Sequence, residues 1–314
     1  MGIYQQQLPQ LAGKKCITDA GMETEFVFQK EINLPEFAAY DLLRTEQGHG
    51  ILFDYYKTYA ELANQHKLGL ILETPTWRAN ADWGNKIGDS KEALHKFNIA
   101  AVKLIERVRE EYQTENSPIV VSGNIGPRGD GYSPDTIMTV VEAQNYHSTQ
   151  IQSLSTTNID LVTALTINYI EEGVGIALAA KQSNLPVCIS FTVETDGLLP
   201  TGDTLEQAIQ AIDKATENYP VYYMINCAHP THFDHLFEKN DEWVKGIKGL
   251  RANASCLSHA ELDNSEVLDD GDPDAFGKEL MDLQNRSSHL TVLGGCCGTD
   301  HRHIEQVCLN ITGN

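Results

Sequence analysis

Eight short β-branched runs, each followed by a helical pattern, predict one (β/α)₈ barrel spanning residues 1–314. Three observations carry this expectation. The runs recur from one end of the chain to the other with helix-length spacers. The spacers repeat their apolar residues at helical rather than alternating period. The residues that close the runs are repeatedly polar or thiol-bearing, and the C-terminal ends of the strands are where an α/β barrel builds its site. A doubly wound sheet is the alternative, because closure leaves no mark in a sequence.

The predicted strands are Cys16–Ala20, Leu68–Thr74, Ile119–Gly123, Ile159–Thr166, Val187–Val193, Val221–Cys227, Val244–Ala252 and Leu290–Gly294. Ser90–Tyr112 repeats Ala93, Leu94, Phe97, Ala101, Leu104, Ile105 and Val108 at a helical period, with Ser90 as N-cap. Ile137–Ser155, Glu171–Gln182, Leu205–Asn218, Pro273–Arg286 and Asp300–Asn310 read as helices in the same way, with Asp203 and Asp300 as expected caps. The acidic stretch Glu261–Asp274 is expected to be a solvated loop.

A formal net charge of −21 argues against nucleic acid and anionic membrane surfaces as partners. No apolar run reaches the length of a membrane span, and Met1–Gln10 lacks the basic and apolar regions of a signal peptide. Seven scattered cysteines fit a reduced, cytoplasmic compartment better than a disulfide framework.

Chemistry concentrates at the strand ends. Cys227 closes the sixth run, and the vicinal pair Cys296-Cys297 closes the eighth inside Gly294-Gly295-Cys296-Cys297-Gly298. Three thiolates there can bind one zinc and leave its fourth position open, as in catalytic zinc sites. A thiol taking that position becomes a thiolate at neutral pH. The competing reading makes Cys296-Cys297 a redox pair. Cys16, Cys188, Cys256 and Cys308 read as small buried apolar residues. The three-residue spacing of His229, His232 and His235 aligns imidazoles along a helix and permits a second metal site, although His229-Pro230 fits a turn into a helix better. His301 and His303 read as solvated residues opening the last helix, with a fourth zinc ligand as their other role. The closing residues Asp19, Glu73, Asn124, Glu194 and Asn253 gather at the same mouth. Glu73 is placed to pair with a cationic group, and Trp77-Arg78 to clamp an amino-acid carboxylate. Gly123–Gly129 fits no dinucleotide or phosphate loop.

These residues resemble the homocysteine S-methyltransferases, a zinc-dependent (β/α)₈ family that includes S-methylmethionine- and betaine-dependent enzymes. The resemblance runs from about Thr18 to Ile304. Thr18–Phe26, with Asp19-Ala20-Gly21-Met22, resembles the family's strand-one motif. Gly123–Pro127 resembles its Gly-Ser-Ile-Gly-Pro, and Ser190-Phe191-Thr192 its strand-five Ser-Phe-Thr. Ile225–Pro230 and Gly294–Thr299 are similar to its two cysteine motifs. The resemblance implies that Cys227, Cys296 and Cys297 bind zinc, that zinc binds the thiol of homocysteine, and that Asp19, Ala20, Gly21 and Met22 hold its amino-acid end. Asn124, Asn226, Asn253, Glu73 and Arg78 complete the expected substrate site. Two departures stand out. Leu165 occupies the place of the family's strand-four Glu, which pairs with the substrate ammonium, so Glu73 is the expected replacement. Arg78 stands where the betaine enzymes carry a tyrosine, and its charge should repel a quaternary ammonium. Ala20 for a usual glycine is a smaller change.

The expected function is therefore zinc-dependent methyl transfer from a small onium donor, S-methylmethionine or S-adenosylmethionine, to homocysteine or a similar thiol. The length leaves no room beside the barrel for cobalamin- or folate-binding modules. The rivals are action on another thiol or a selenol, and a non-catalytic zinc-binding barrel.

Overall fold

The eight predicted runs all form strands, and the strands close. In the computed structural model, which describes residues 1–313 other than 135, 239, 240 and 266, β1 (Cys16–Thr18), β2 (Gly69–Glu73), β3 (Ile119–Ile125), β4 (Leu161–Ile167), β5 (Val187–Phe191), β6 (Tyr222–Asn226), β7 (Ile247–Ala252) and β8 (Val292–Gly295) pair in chain order as a closed barrel. Every pairing is parallel, and closure comes from Cys16 opposite Val292 and Ile17 opposite Leu293. This decides for the barrel over the doubly wound sheet.

Parallel strands need crossover connections, and helices supply them. Consecutive strands are linked by α1 (Glu46–His66), α2 (Lys91–Tyr112), α3 (Val140–Ser155), α4 (Ile170–Gln182), α5 (Leu205–Thr216), the short α6 (Pro230–Phe233) and α7 (Pro273–Arg286), with α8 (His301–Thr312) following β8. Ser90 and Asp300 cap α2 and α8 as expected. Thr204 rather than Asp203 caps α5, because its hydroxyl and the Gln207 side chain close a reciprocal capping box. The expected start of the seventh strand at Val244 is a 3₁₀ turn over Glu242–Gly246. Among the described residues no helix is long and apolar enough to cross a membrane.

The strands are buried along almost their whole length, as a sheet covered on both faces must be. Cys16, Ile71, Val120, Leu161, Cys188, Tyr222, Met224 and Val292 pack together with Leu8 as one cluster, which fills the barrel. The alternate strand residues, such as Ile17, Leu70, Leu72 and Val121, pack outward against the helices. Tyr55, Tyr56 and Tyr59 of α1 lie fully buried near β1, a tyrosine-lined wall that the sequence reading did not delimit. The filled interior leaves the C-terminal mouth as the open end.

Candidate metal centre and substrate pocket

The mouth of the barrel encloses a pocket of about 620 Å³, lined by the residues that follow the strands. Of the expected substrate residues, Asp19, Ala20, Gly21, Met22, Glu73, Arg78, Asn124 and Asn226 line it, together with all three predicted zinc cysteines. Asn253 does not. It lies buried immediately after β7, where its backbone N–H donates to the Ala228 carbonyl. Arg251, two residues earlier, takes its place on the pocket wall.

Cys227, Cys296 and Cys297 bring their sulfur atoms within 4.8 Å of one another, and among the described residues this is the only cluster of three or more metal-ligating side chains. Three sulfurs on a tetrahedral zinc at about 2.3 Å lie about 3.8 Å apart. The Cys227 and Cys297 sulfurs are 3.8 Å apart. Cys227 and Cys296 are joined as a disulfide, their Cα atoms 5.4 Å apart. This bond joins the ends of β6 and β8. Once reduced, the three thiols have the number, element and spacing that a zinc site with one open position requires.

The surrounding backbone explains how two strands deliver three sulfurs to one point. Cys227 sits at φ 53°, a left-handed conformation that non-glycine residues seldom adopt and that collects at functional sites. Its N–H donates to the Arg251 carbonyl, and the Cys296 N–H to Ala252. Gly294 must be glycine because a Cβ there would sit 1.9 Å from Thr18 Oγ1. Gly298 turns the chain at φ +80° immediately after the pair.

A polar layer holds the cysteines from behind. Asn226 accepts from Ser190 Oγ at 2.6 Å and from the Thr166 N–H at 2.9 Å, and its amide donates to Thr166 Oγ1 at 2.9 Å and towards Cys296 Sγ at 3.9 Å. Thr192 Oγ1 donates to the Cys227 carbonyl. Thr166 itself has φ 62°, at the irregularity between Ala164 and Ile167 in the β4–β5 ladder. Asn226, expected to touch substrate, is thus mainly committed to this scaffold. Two residues absent from the sequence reading join it. His259 Nε2 lies 2.6 Å from the Cys227 carbonyl, its Nδ1 lies 3.1 Å from Glu194, and its ring stacks on Tyr132. The Tyr132 hydroxyl is 3.4 Å from Cys297 Sγ.

Beside the sulfurs, on β7 between β6 and β8, Arg251 is buried between two acids. It contacts Glu73 Oε2 directly, reaches Asp19 Oδ1 at 2.7 Å, and donates to the Gly295 and Ala20 carbonyls. Glu73 thus meets a cationic group as expected, but that group is Arg251 of the protein itself. Burial pushes the Glu73 carboxyl up to about 7, an effect that Arg251 opposes and the nearby Asp19 reinforces. Burial raises Asp19 as well. Two acids and one base leave the group with an acidic balance. Arg78 lies over Trp83 and Trp77 at 3.8 and 4.9 Å from the ring centroids and donates to the Glu36 carbonyl, while its Nε is buried without a partner. Leu165 lines the pocket and is 6% exposed, so hydrocarbon stands at the position where the sequence lacks the carboxylate.

Other expectations are corrected. His229, His232 and His235 do not assemble a metal site. His229 caps α6 and approaches Glu279, and His232 bonds the Cys256 carbonyl. His303 is fully buried against Asp300 and the Asp270 carbonyl, away from the sulfurs, whereas His301 is exposed. Cys16, Cys188 and Cys308 are buried as expected, but Cys256 is exposed. The stretch Glu261–Asp274 is not only solvated loop, since Leu262, Leu268 and Asp269 line the pocket.

A sequence profile of the homocysteine S-methyltransferase family matches residues 16–311. Homocysteine S-methyltransferase 1 of Arabidopsis thaliana is 22% identical over 321 aligned residues, covering 94% of each chain. Among solved structures, the metallated homocysteine methyltransferase MmuM from Escherichia coli has a TM-score of 0.75 at 17% identity, covering 97% of this chain and 99% of that one. Its oxidized form has a TM-score of 0.70 at 18% identity, covering 93% and 94%. The structural likeness shows the fold. The profile, which spans nearly the whole chain, shows the family: this protein belongs to the homocysteine S-methyltransferases, enzymes of methyl transfer.

Proposed function

We propose that the protein moves a methyl group from a small onium donor, S-methylmethionine or S-adenosylmethionine, to homocysteine or a closely similar thiol, with zinc held by Cys227, Cys296 and Cys297. The carrying observation is the convergence of three sulfurs from two strand ends, at zinc-ligand spacing, on the wall of a substrate-sized pocket. When bound, zinc supplies a Lewis acid that brings a thiol to its nucleophilic thiolate form at neutral pH.

The chain's own residues account for the rest. The barrel mouth confines acceptor and donor in one cavity, which aligns the attacking sulfur with the methyl carbon. A new S–C bond forms as the carbon–onium bond breaks, and the onium leaves as a neutral thioether. The thiol proton has already passed to solvent, so no general base is needed at the moment of transfer. Asp19, Glu73 and Arg251 together give the wall an acidic balance suited to a cationic donor. Asp19 through Met22 and Asn124 offer backbone and amide groups to the acceptor's amino-acid end. Arg78, spread over two tryptophans with one N–H unpaired, suits a carboxylate. The pocket beside the cysteines distinguishes this reading from a non-catalytic zinc barrel, which has no use for one.

The experiment is a screen of reduced, zinc-loaded protein with homocysteine against S-methylmethionine, S-adenosylmethionine and betaine, with mass detection of methionine. Product from a sulfonium donor and none from betaine is expected. Absence of methyl transfer from every donor would overturn the proposal.

A further inference from the structure

The acids on the pocket wall differ in what they are free to bind. Asp19 and Glu73 are committed to Arg251. Asp130 accepts the N–H groups of Tyr132 and Ser133 and so closes a turn. Asp269 accepts from Ser255 Oγ and the Gly271 N–H. Glu36, well exposed to solvent, faces Lys86 Nζ at 4.0 Å. Glu23, on the short helix Met22–Thr24 just after β1, remains. It is half-buried on the pocket wall, and among the described residues no other side chain donates a hydrogen bond to its carboxylate. Its neighbourhood is that of the reacting groups. Two residues earlier Gly21 packs so closely on the Cys296 carbonyl that a Cβ would lie 2.3 Å from the oxygen, and the next residue, Thr24, accepts from the Gly298 N–H.

An amino-acid substrate of this pocket brings an α-ammonium into a partly dehydrated space. An ammonium there needs a carboxylate, because an unpaired charge is costly to desolvate. The end of β4 lines the pocket with Leu165 and Thr166 and offers no carboxylate. Resting on the methyl-transfer reading above, we propose that Glu23 is the specificity-determining residue that binds the α-ammonium of an amino-acid substrate. Two features support it. Burial pushes the Glu23 carboxyl up to about 7, with its own backbone N–H, Arg78 and Arg251 opposing the rise and Asp19 adding to it. Arg78 stands close enough to Glu23 to act on it electrostatically, so acid and base face one zwitterion from the loops after β1 and β2.

Two substrates carry this ammonium, the thiol acceptor and an amino-acid donor such as S-methylmethionine, and kinetics separate them. Wild type, Glu23→Gln and Glu23→Asp are compared as reduced, zinc-loaded full chains, varying homocysteine and S-methylmethionine in turn. Glu23→Gln should raise one KM roughly ten- to hundredfold, the value of a charge-assisted hydrogen bond, with a far smaller change in kcat. Glu23→Asp should recover part of the loss. A rise in the homocysteine KM, absent with its des-amino analogue, assigns the acceptor's ammonium. A rise confined to the donor assigns the donor's. Unchanged KM values for both, with wild type turning over, would overturn the proposal. Calorimetric binding of homocysteine and S-methylmethionine needs no turnover, so it judges Glu23 even if the methyl-transfer reading fails. Weaker binding of at least one by Glu23→Gln supports the inference, and equal binding of both by variant and wild type contradicts it.

Discussion

Replacing Arg251 with methionine tests the electrostatics of the site most severely. Methionine refills the space of the arginine stem but removes the charge and every donor. The structure sets the loss: one contact with Glu73, one at 2.7 Å to Asp19, and donations to the Gly295 and Ala20 carbonyls, all at a side chain 5% exposed. Removing one partner from a buried ionic group costs about 3–5 kcal/mol, because the remaining charges stay desolvated. That is a large share of the 5–15 kcal/mol typical of a folded domain, yet it leaves the variant foldable. The acids can relieve the strain by taking up protons. Burial already holds Glu73 at about 7 with the guanidinium present, and losing the guanidinium pushes it higher. A carboxyl raised in the folded state stabilises below its unfolded value near 4.3, and that contribution is lost as pH rises through the folded value. The variant's deficit should therefore approach about 3–5 kcal/mol at pH 8 and shrink at pH 5.5. Urea denaturation of both proteins under reducing conditions at the two pH values measures it. A deficit below about 1 kcal/mol at pH 8, or one equal at both pH values, would refute the reasoning.

Wild type should itself lose stability as pH rises from 5 towards 8, since Glu73 is raised to about 7 even with its cation, and a stability that climbs across this window would contradict that assignment. Asn226→Ala strips the Ser190 and Thr166 partners and loosens the cysteine scaffold, so zinc affinity measured by competition with a chelator should fall about 10–100-fold. Gly294→Ala drives a methyl against Thr18 Oγ1, so the variant should lose at least about 1–3 kcal/mol in denaturant titration, and a neutral result would mean the strand ends are looser than described. Cys16→Ala and Cys308→Ala, far from the mouth, should keep full zinc content by metal analysis and lose only packing energy.

What the sequence revealed follows from where physical constraints are local. Each strand is a β-branched run that must be buried on two faces, so all eight were legible, and their ends fixed the face on which Cys227, Cys296 and Cys297 meet. Glycine on both sides of Cys296-Cys297 signalled close backbone approach, which Gly294 against Thr18 confirms. Thr204-Leu205-Glu206-Gln207 carried its capping box openly, and choosing Asp203 overlooked the paired glutamine. Arg251 was missed because its partners lie far away in the chain, just after β1 and at the end of β2. Its signal was indirect: a charged residue within an otherwise buried strand requires buried acids, and Asp19 and Glu73 stood at the same mouth, both read as substrate contacts. His259 carried no local signal, since its role comes entirely from folding the loop after β7 over Cys227. His303 looked solvated at a helix start, yet the reciprocal box with Asp300 draws it inward. Cys256 failed the usual burial of cysteine because it sits in that same mouth-side loop rather than in an element.

The central claim is that three cysteines bind one zinc whose remaining position takes the thiol. Zinc-edge X-ray absorption of the reduced, reconstituted protein, recorded without and with homocysteine, tests it most directly. The account predicts one zinc per chain with three sulfurs at about 2.3 Å and one lighter ligand, changing to four sulfurs when homocysteine is added. A spectrum with fewer than three sulfurs, or one that homocysteine leaves unchanged, would contradict it.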